Sequence, residues 1–137
     1  MARLPDVASL SVLIVDDDQI TRTMVARMLA NMGIKFITQA ENGVDAIKIV
    51  RSHRPNIVLC DIEMEPMSGI QVLEALRHSV QWKERGIPLI FLTNRADSEV
   101  VAKARELGVS AFLLKPVTPE RLRDRIIRAI ESTSARS

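Results

Sequence analysis

Asp16, Asp17 and Asp18 stand in a row directly after an apolar run at residues 12–15. Two unit charges about 4 Å apart repel by roughly 4 kcal/mol at an effective dielectric of 20. Three neighbouring carboxylates therefore need a reason, which is water, a cation or a helix end. Three further residues of chemical interest each follow an apolar run: Asp61 in NIVLCDIEMEPMSG, Thr93 in IPLIFLTNR and Lys115 in SAFLLKPVTP. Clustered carboxylates bind a hard divalent cation through oxygen, and Mg²⁺ usually takes one or two of them together with phosphate and water. A carboxylate at the centre of such a cluster can be a nucleophile toward phosphorus, giving an aspartyl-phosphate. Phosphoryl transfer asks mainly for positioning and charge neutralisation. A cation, an amine and a hydroxyl supply both.

Whether these residues meet depends on the elements that carry them. Five short apolar runs recur, at residues 12–15, 36–37, 57–60, 88–92 and 109–114. Several are continuous rather than alternating, as expected for strands covered on both faces. Between them lie stretches with helical spacing. The first carries Ile20, Met24, Met28 and Met32 beside Val25 and Leu29, and stops at Gly33. The second carries Val44, Ile47 and Val50 and ends before Pro55; the third carries Ile70, Leu73 and Leu76. The fourth carries Val100, Ala104 and Leu107 and stops at Gly108, and the last carries Leu122, Ile126 and Ile130. The methionines at this spacing are expected in the core.

Helix starts are marked too. Ser68 with Gln71 matches a capping box, and Thr118-Pro119-Glu120 offers a cap, a proline at the first helical position and an acid in the first turn. Asn42 is placed to open the second helix and Asp97 the fourth. Five alternations of strand and helix argue for a parallel sheet with helices on both faces. Ligands in such sheets gather at the carboxyl ends of the strands. Asp16, Asp17, Asp61, Thr93 and Lys115 all fall on that edge.

Composition sets the outer bounds. The chain has 137 residues, which fits one domain, and 47% hydrophobic with 26% charged residues reads as a soluble globular protein. The net charge of +2, from 19 basic and 17 acidic residues, offers no concentrated basic domain for nucleic acid. Cys60 is the only cysteine, so no internal disulfide is expected and a reducing compartment is the expected home. Residues 1–10 lack the apolar core of a signal peptide, and no apolar run approaches the roughly 20 residues of a membrane span. A cytoplasmic location is expected.

In arrangement, order and spacing these motifs resemble the receiver domain of bacterial two-component response regulators, in particular the single-domain, chemotaxis-regulator-like form. The resemblance covers residues 11–130. It implies a flavodoxin-like, doubly wound α/β fold with five parallel strands in the order 2-1-3-4-5. It implies that Asp61 accepts the phosphoryl group, and that Mg²⁺ is held by Asp17 directly, by Asp16 through a metal-bound water, by Asp61 and by the backbone carbonyl of Glu63. Thr93 would hydrogen-bond the phosphoryl group and Lys115 would pair with it. Phe112 stands at the position of a switch aromatic, acting with Thr93, and Pro116 implies a cis Lys–Pro bond. Asp18 has no role in that pattern and is expected to cap a helix. The implied boundaries are an extension at 1–10, the receiver at 11–131 and a short polar tail at 132–137.

Two departures from the family pattern stand out. Glu65 occupies the place, four residues after Asp61, where many members have proline, and Pro66 follows. Glu63 and Arg95 each lie two positions past a key residue, and an ion pair between them would cover the phosphoryl group and slow its hydrolysis. Other residues read more plainly. Cys60 is expected as a buried, inert thiol. His53 and His78 lie near helix ends and carry no phosphohistidine role, and Trp82 is expected to pack within a polar connector. Arg121, Arg125 and Arg128 form a stripe on the last helix. A solvated face partly paired with Glu120 and Asp124 is the expected reading, with a docking surface for an anionic ligand such as a cyclic dinucleotide as the alternative.

The resemblance implies a stand-alone receiver in a phosphorelay. It would take its phosphoryl group from a sensor histidine kinase or a phosphotransfer protein and signal to a downstream protein through helix four, strand five and helix five. It would have no DNA-binding domain, no membrane association and no catalysis beyond its own phosphorylation and dephosphorylation. The competing readings are a small aspartate-nucleophile phosphatase of the haloacid-dehalogenase type and an unphosphorylated interaction module. The first usually carries an Asp-x-Asp pair after its first strand, whereas here the acids DIE follow the third.

Overall fold

A computed structural model of the chain describes residues 6–78, 86–94 and 98–135. Strands β1 (Ser11–Val15), β2 (Phe36–Ala40), β3 (Ile57–Asp61), β4 (Leu89–Thr93) and β5 (Ala111–Leu114) alternate with helices α1 (Gln19–Asn31), α2 (Gly43–His53), α3 (Gly69–Arg77), α4 (Ser98–Glu106) and α5 (Pro119–Ala135). All strand pairs are parallel and the order is β2-β1-β3-β4-β5, the doubly wound arrangement expected from the sequence. Every residue of β3 and β4 is buried, which is why those strands read as unbroken apolar runs up to their last residues, Asp61 and Thr93. Strand β2 lies at the sheet's edge and buries only Ala40 fully. Its polar residues Thr38 and Gln39 hid its last three positions from the hydrophobic pattern.

The sheet separates two apolar layers. One joins Leu13, Val58, Phe91 and Leu73 with the inner faces of α2, α3 and α4. The other joins Ile14, Leu59, Leu92, Val25, Leu29, Leu122 and Ile126 between the sheet, α1 and α5. A short 3₁₀ turn, Val7–Ser9, precedes β1, and its Val7 together with Leu10 adds to the second layer. The segment before β1 is thus partly core, although its sequence carries no strand or helix pattern.

Helix ends follow the expected chemistry. Asp18 caps α1, accepting from the Ile20 N–H, and Asn42 caps α2, accepting from the Asp45 N–H. Ser68 and Gln71 form the reciprocal capping box of α3, and the Thr118 hydroxyl accepts from the Arg121 N–H at the start of α5. Gly33 (φ 91°) and Gly108 (φ 82°) turn the chain in the left-handed region just past α1 and α4, where a side chain would be disfavoured.

One expectation needs correction. Met24 is 51% exposed and Ile20 71% exposed, so the apolar stripe at 20, 24, 28 and 32 is not the core line of α1. That line is Val25 and Leu29, both buried. Successive residues are about 100° apart on a helix, so Met24 sits beside the line rather than on it. Met28 and Met32 pack against the core from its flank. Helix α5 runs on through Ala135. Trp82, Arg95 and Asp97 lie outside the described residues.

Candidate functional site

The parallel register brings the chemically active residues together. Val15 of β1 pairs with Cys60 of β3, so Asp16 and Asp61, the next residues along, stand side by side. Thr93 is the last residue of β4, and its carbonyl accepts from the Lys115 N–H at 2.8 Å just beyond β5. Asp61 and Thr93 are therefore the final strand residues themselves rather than the first loop residues. Asp16, Asp61 and Thr93 are the three buried polar or charged residues among those described, at the rim of an otherwise apolar core.

Each acid has a different environment. Both carboxylate oxygens of Asp16 are engaged: Oδ1 accepts from the Asp18 N–H at 2.9 Å and Oδ2 from Lys115 Nζ at 3.0 Å. Asp17 is exposed at the mouth of the site. Asp61 Oδ1 accepts from the Glu63 N–H at 3.3 Å and lies 3.5 Å from Lys115 Nζ. Asp18 is engaged by its own helix: its carboxylate accepts from the Thr21 hydroxyl at 2.7 Å and from the Ile20 N–H, and the Thr21 bond leads in holding its pKa below the usual value. Of the three consecutive acids, two converge with Asp61 and the third starts a helix.

Asp16, Asp17 and Asp61 each offer a carboxylate oxygen, and these three atoms lie within 4.8 Å of one another. Lys115 is the cation paired with two of them, and three carboxylates exceed what one amine neutralises. The imbalance shows in the titration of the group at the centre. Burial first, and then the charge of Asp16, push the Asp61 carboxyl up to about 6 against the opposing pull of Lys115. Burial alone would lower the Lys115 pKa, but its hydrogen bond to Asp16 and the charges of Asp61 and Asp16 leave it raised. An oxygen-only, carboxylate-rich donor set of this kind suits a hard divalent ion such as Mg²⁺.

The acids open into a cavity of about 530 Å³ that continues along α1 past Met24 and Met28 to Val117. Glu63 and Asn94 border its mouth. Phe112 of β5 is half-buried opposite Phe91 of β4, with ring centroids 5.9 Å apart, and Phe91 and Thr93 share one sheet face by the two-residue alternation of a strand. The Lys115–Pro116 bond is cis, as expected, and so is Glu65–Pro66 in the loop that departs from the family pattern. Cys60 is fully buried, and desolvation, helped by the charges of Asp61 and Asp16, raises its thiol pKa, as an inert thiol requires.

Sequence reasoning missed Arg22. Its guanidinium Nη1 donates to the Asp16 carbonyl at 2.5 Å, and its Nε donates to Gln39 Oε1 at 3.2 Å. No local motif marks such a contact, because an arginine one turn into a helix is ordinarily a surface residue. The arginine stripe on α5 resolves largely as the solvated reading anticipates: Arg125 and Arg128 both pair with Asp124, at 2.7 Å and 3.2 Å.

Comparison with known proteins bears on this site. The family model for the response regulator receiver domain matches residues 12–127. A probable chemotaxis protein CheY of Rhizobium etli is 34% identical over 114 residues, which cover 83% of this chain and 87% of that protein. The Regulator of RpoS of Escherichia coli is 32% identical over 122 residues, covering 87% of this chain but only 34% of that longer protein. Among solved structures, the Vibrio cholerae chemotaxis protein CheY4 superposes with a TM-score of 0.82 at 28% identity, covering 88% of this chain and 99% of that one.

Proposed function

This chain belongs to the response regulator receiver domain family, and we propose that it takes a phosphoryl group on Asp61 from a phosphohistidine donor in a Mg²⁺-dependent step. The observation that carries this reading is the group of three carboxylate oxygens within 4.8 Å beside Lys115. Asp16, Asp17, Asp61 and the Glu63 carbonyl would hold the ion, which when bound neutralises charge on the phosphoryl oxygens. The Glu63 N–H and Lys115 both address Asp61 Oδ1, so the other oxygen of that carboxylate is the one to attack phosphorus. A P–O bond forms, the P–N bond to the donor imidazole breaks, and the imidazole keeps the electron pair. With its pKa at about 6, Asp61 is mostly ionised at neutral pH and is competent as the nucleophile. Lys115, already 3.5 Å from Asp61, shifts its pairing toward the new phosphoryl charge.

Thr93 and Phe112 form the switch in this reading. Thr93 donates to the phosphoryl oxygen, and the repacking passes along the shared face through Phe91 to Phe112, altering the surface of α4, β5 and α5 where a downstream protein would bind. The exposed Ile20 and Met24 on α1 offer an apolar contact beside the acids for the phosphodonor, a histidine kinase or phosphotransfer protein. The Glu63–Arg95 shield belongs to the same reading and is tested by the hydrolysis rate of the phosphorylated protein in Glu63→Ala and Arg95→Ala.

The deciding experiment incubates the protein with a small acyl phosphate, with and without Mg²⁺, and records its intact mass beside Asp61→Asn. One Mg²⁺-dependent phosphoryl adduct, absent in the variant, is expected. Folded protein that forms no adduct, or an adduct that survives in Asp61→Asn, overturns the assignment. Sustained turnover of generic phosphate esters would instead identify a phosphatase.

A further inference from the structure

The acid loop is held from behind by a contact that the proposed chemistry does not use. The Asp16 carbonyl and the Asp17 N–H belong to one peptide unit, which is planar, so fixing the carbonyl fixes the plane from which both side chains depart. Two bonds clamp the backbone here. The Asp16 N–H donates to the Ala40 carbonyl at 3.1 Å, and the Asp16 carbonyl accepts from Arg22 Nη1 at 2.5 Å. Arg22 is in turn fixed at its Nε by Gln39 Oε1, 3.2 Å away on edge strand β2. Arg22 forms part of the wall of a second cavity of about 420 Å³, together with Gln39, Glu41, Asp45 and Lys48.

We propose that Arg22, braced by Gln39, is a positioning residue that orients the Asp16–Asp17 peptide so that both carboxylates are presented to the metal. The proposal rests on the reading that Asp16, Asp17 and Asp61 bind Mg²⁺. The choice of residue follows from geometry. Arginine's planar fork can bond a carbonyl and an amide oxygen in two directions at once, which a lysine ammonium on a flexible stem cannot hold in the same way. Its cation is spent on a carbonyl, so it does not compete with the metal for carboxylate oxygens as Lys115 does.

Charge and geometry predict opposite signs, and this makes the test decisive. Deleting a nearby cation would by electrostatics alone tighten binding of a divalent ion. Losing the brace would weaken it, by about tenfold if Arg22 matters as much as other outer partners of metal ligands do. Mg²⁺ binding is measured by titration calorimetry on wild-type protein, Arg22→Gln, Arg22→Lys and Gln39→Ala, without phosphodonor. Backbone amide exchange at Asp16 is recorded on the same metal-free proteins. Weaker Mg²⁺ binding in Arg22→Gln and in the charge-conserving Arg22→Lys, a smaller loss in Gln39→Ala, and faster exchange of the Asp16 amide, which is bonded to the Ala40 carbonyl, in all three are expected. Unchanged or tighter binding in Arg22→Gln overturns the proposal, as does wild-type affinity in Arg22→Lys. Gln39→Ala changes an exposed residue and so keeps the test open if an Arg22 variant folds poorly. Wild-type protein that binds no Mg²⁺ overturns the underlying reading of the acids, a failure separate from that of the brace.

Discussion

Asp61 carries the cost of the site. A carboxyl with a pKa of about 6 in the native chain and 3.8 when unfolded binds more proton in the folded state between those values. Stability therefore falls as pH rises from about 4 through 6, and the full penalty is present above 6. Replacing Asp61 with Asn removes the buried charge and its repulsion with Asp16, while Lys115 keeps its 3.0 Å bond to Asp16. Metal-free Asp61→Asn is expected to be more stable than wild type at pH 7.5 by on the order of 1–3 kcal/mol. The gain should shrink toward pH 4, where the wild-type carboxyl is protonated in the folded chain. Denaturant unfolding at the two pH values checks both the sign and the window. A variant less stable than wild type at pH 7.5 would mean that the Asp61–Lys115 pair outweighs the burial penalty.

At the scale of elements, the site depends on how closely α3 approaches the end of β3. Gly69, the first residue of α3, donates its N–H to the Ile62 carbonyl at 2.8 Å. A Cβ there would collide with the Asp61 carbonyl oxygen and come within 2.8 Å of Ile62 Cα and 3.0 Å of Phe91 Cε1. Two of those atoms are backbone and cannot swing aside. Gly69→Ala is expected to cost about 1–3 kcal/mol, as overpacking of a tight site does, and to slow labelling by an acyl phosphate by shifting Asp61. Thermal melts and the labelling rate measure the two effects, and wild-type values in both would show that the helix gives way freely. Elements of this kind differ in how plainly a sequence announces them. β1, β3 and β4 are covered on both faces and are apolar but for one end residue each, Ser11, Asp61 and Thr93, so they are legible, as are the caps Asp18, Asn42, Ser68 and Thr118. β2 needs apolar residues on less of its surface, so its apolar run spans only Phe36 and Ile37. The exposed stripe of Ile20 and Met24 has the same period as the core line beside it, and periodicity alone cannot say which of two adjacent lines faces the sheet. Asp16, Asp61, Thr93 and Lys115 could be placed because each ends an apolar run, whereas Arg22 and Gln39 meet across 17 positions with no local signal.

For the whole molecule, the sheet insulates two apolar layers and leaves its carboxyl edge to carry uncompensated charge. A ligand that binds only the folded chain adds its binding free energy to stability, about 2.7 kcal/mol at 100 times its dissociation constant. Because the three carboxylates converge only when β1 and β3 are paired, the unfolded chain has no comparable site. Mg²⁺ is therefore expected to raise the melting temperature by several degrees at pH 7.5. Protons compete for the same oxygens, and Asp61 with its pKa of about 6 is largely protonated at pH 5, so the Mg²⁺-dependent shift should be clearly smaller there. Asp17→Asn removes one donor from the exposed side of the site without disturbing the Asp16–Lys115 pair, and it should lose most of the shift at both pH values. Calorimetric scans with and without Mg²⁺ read all three quantities. A shift that is equal at pH 5 and 7.5, or that survives in Asp17→Asn, would place the ion somewhere other than among these three acids.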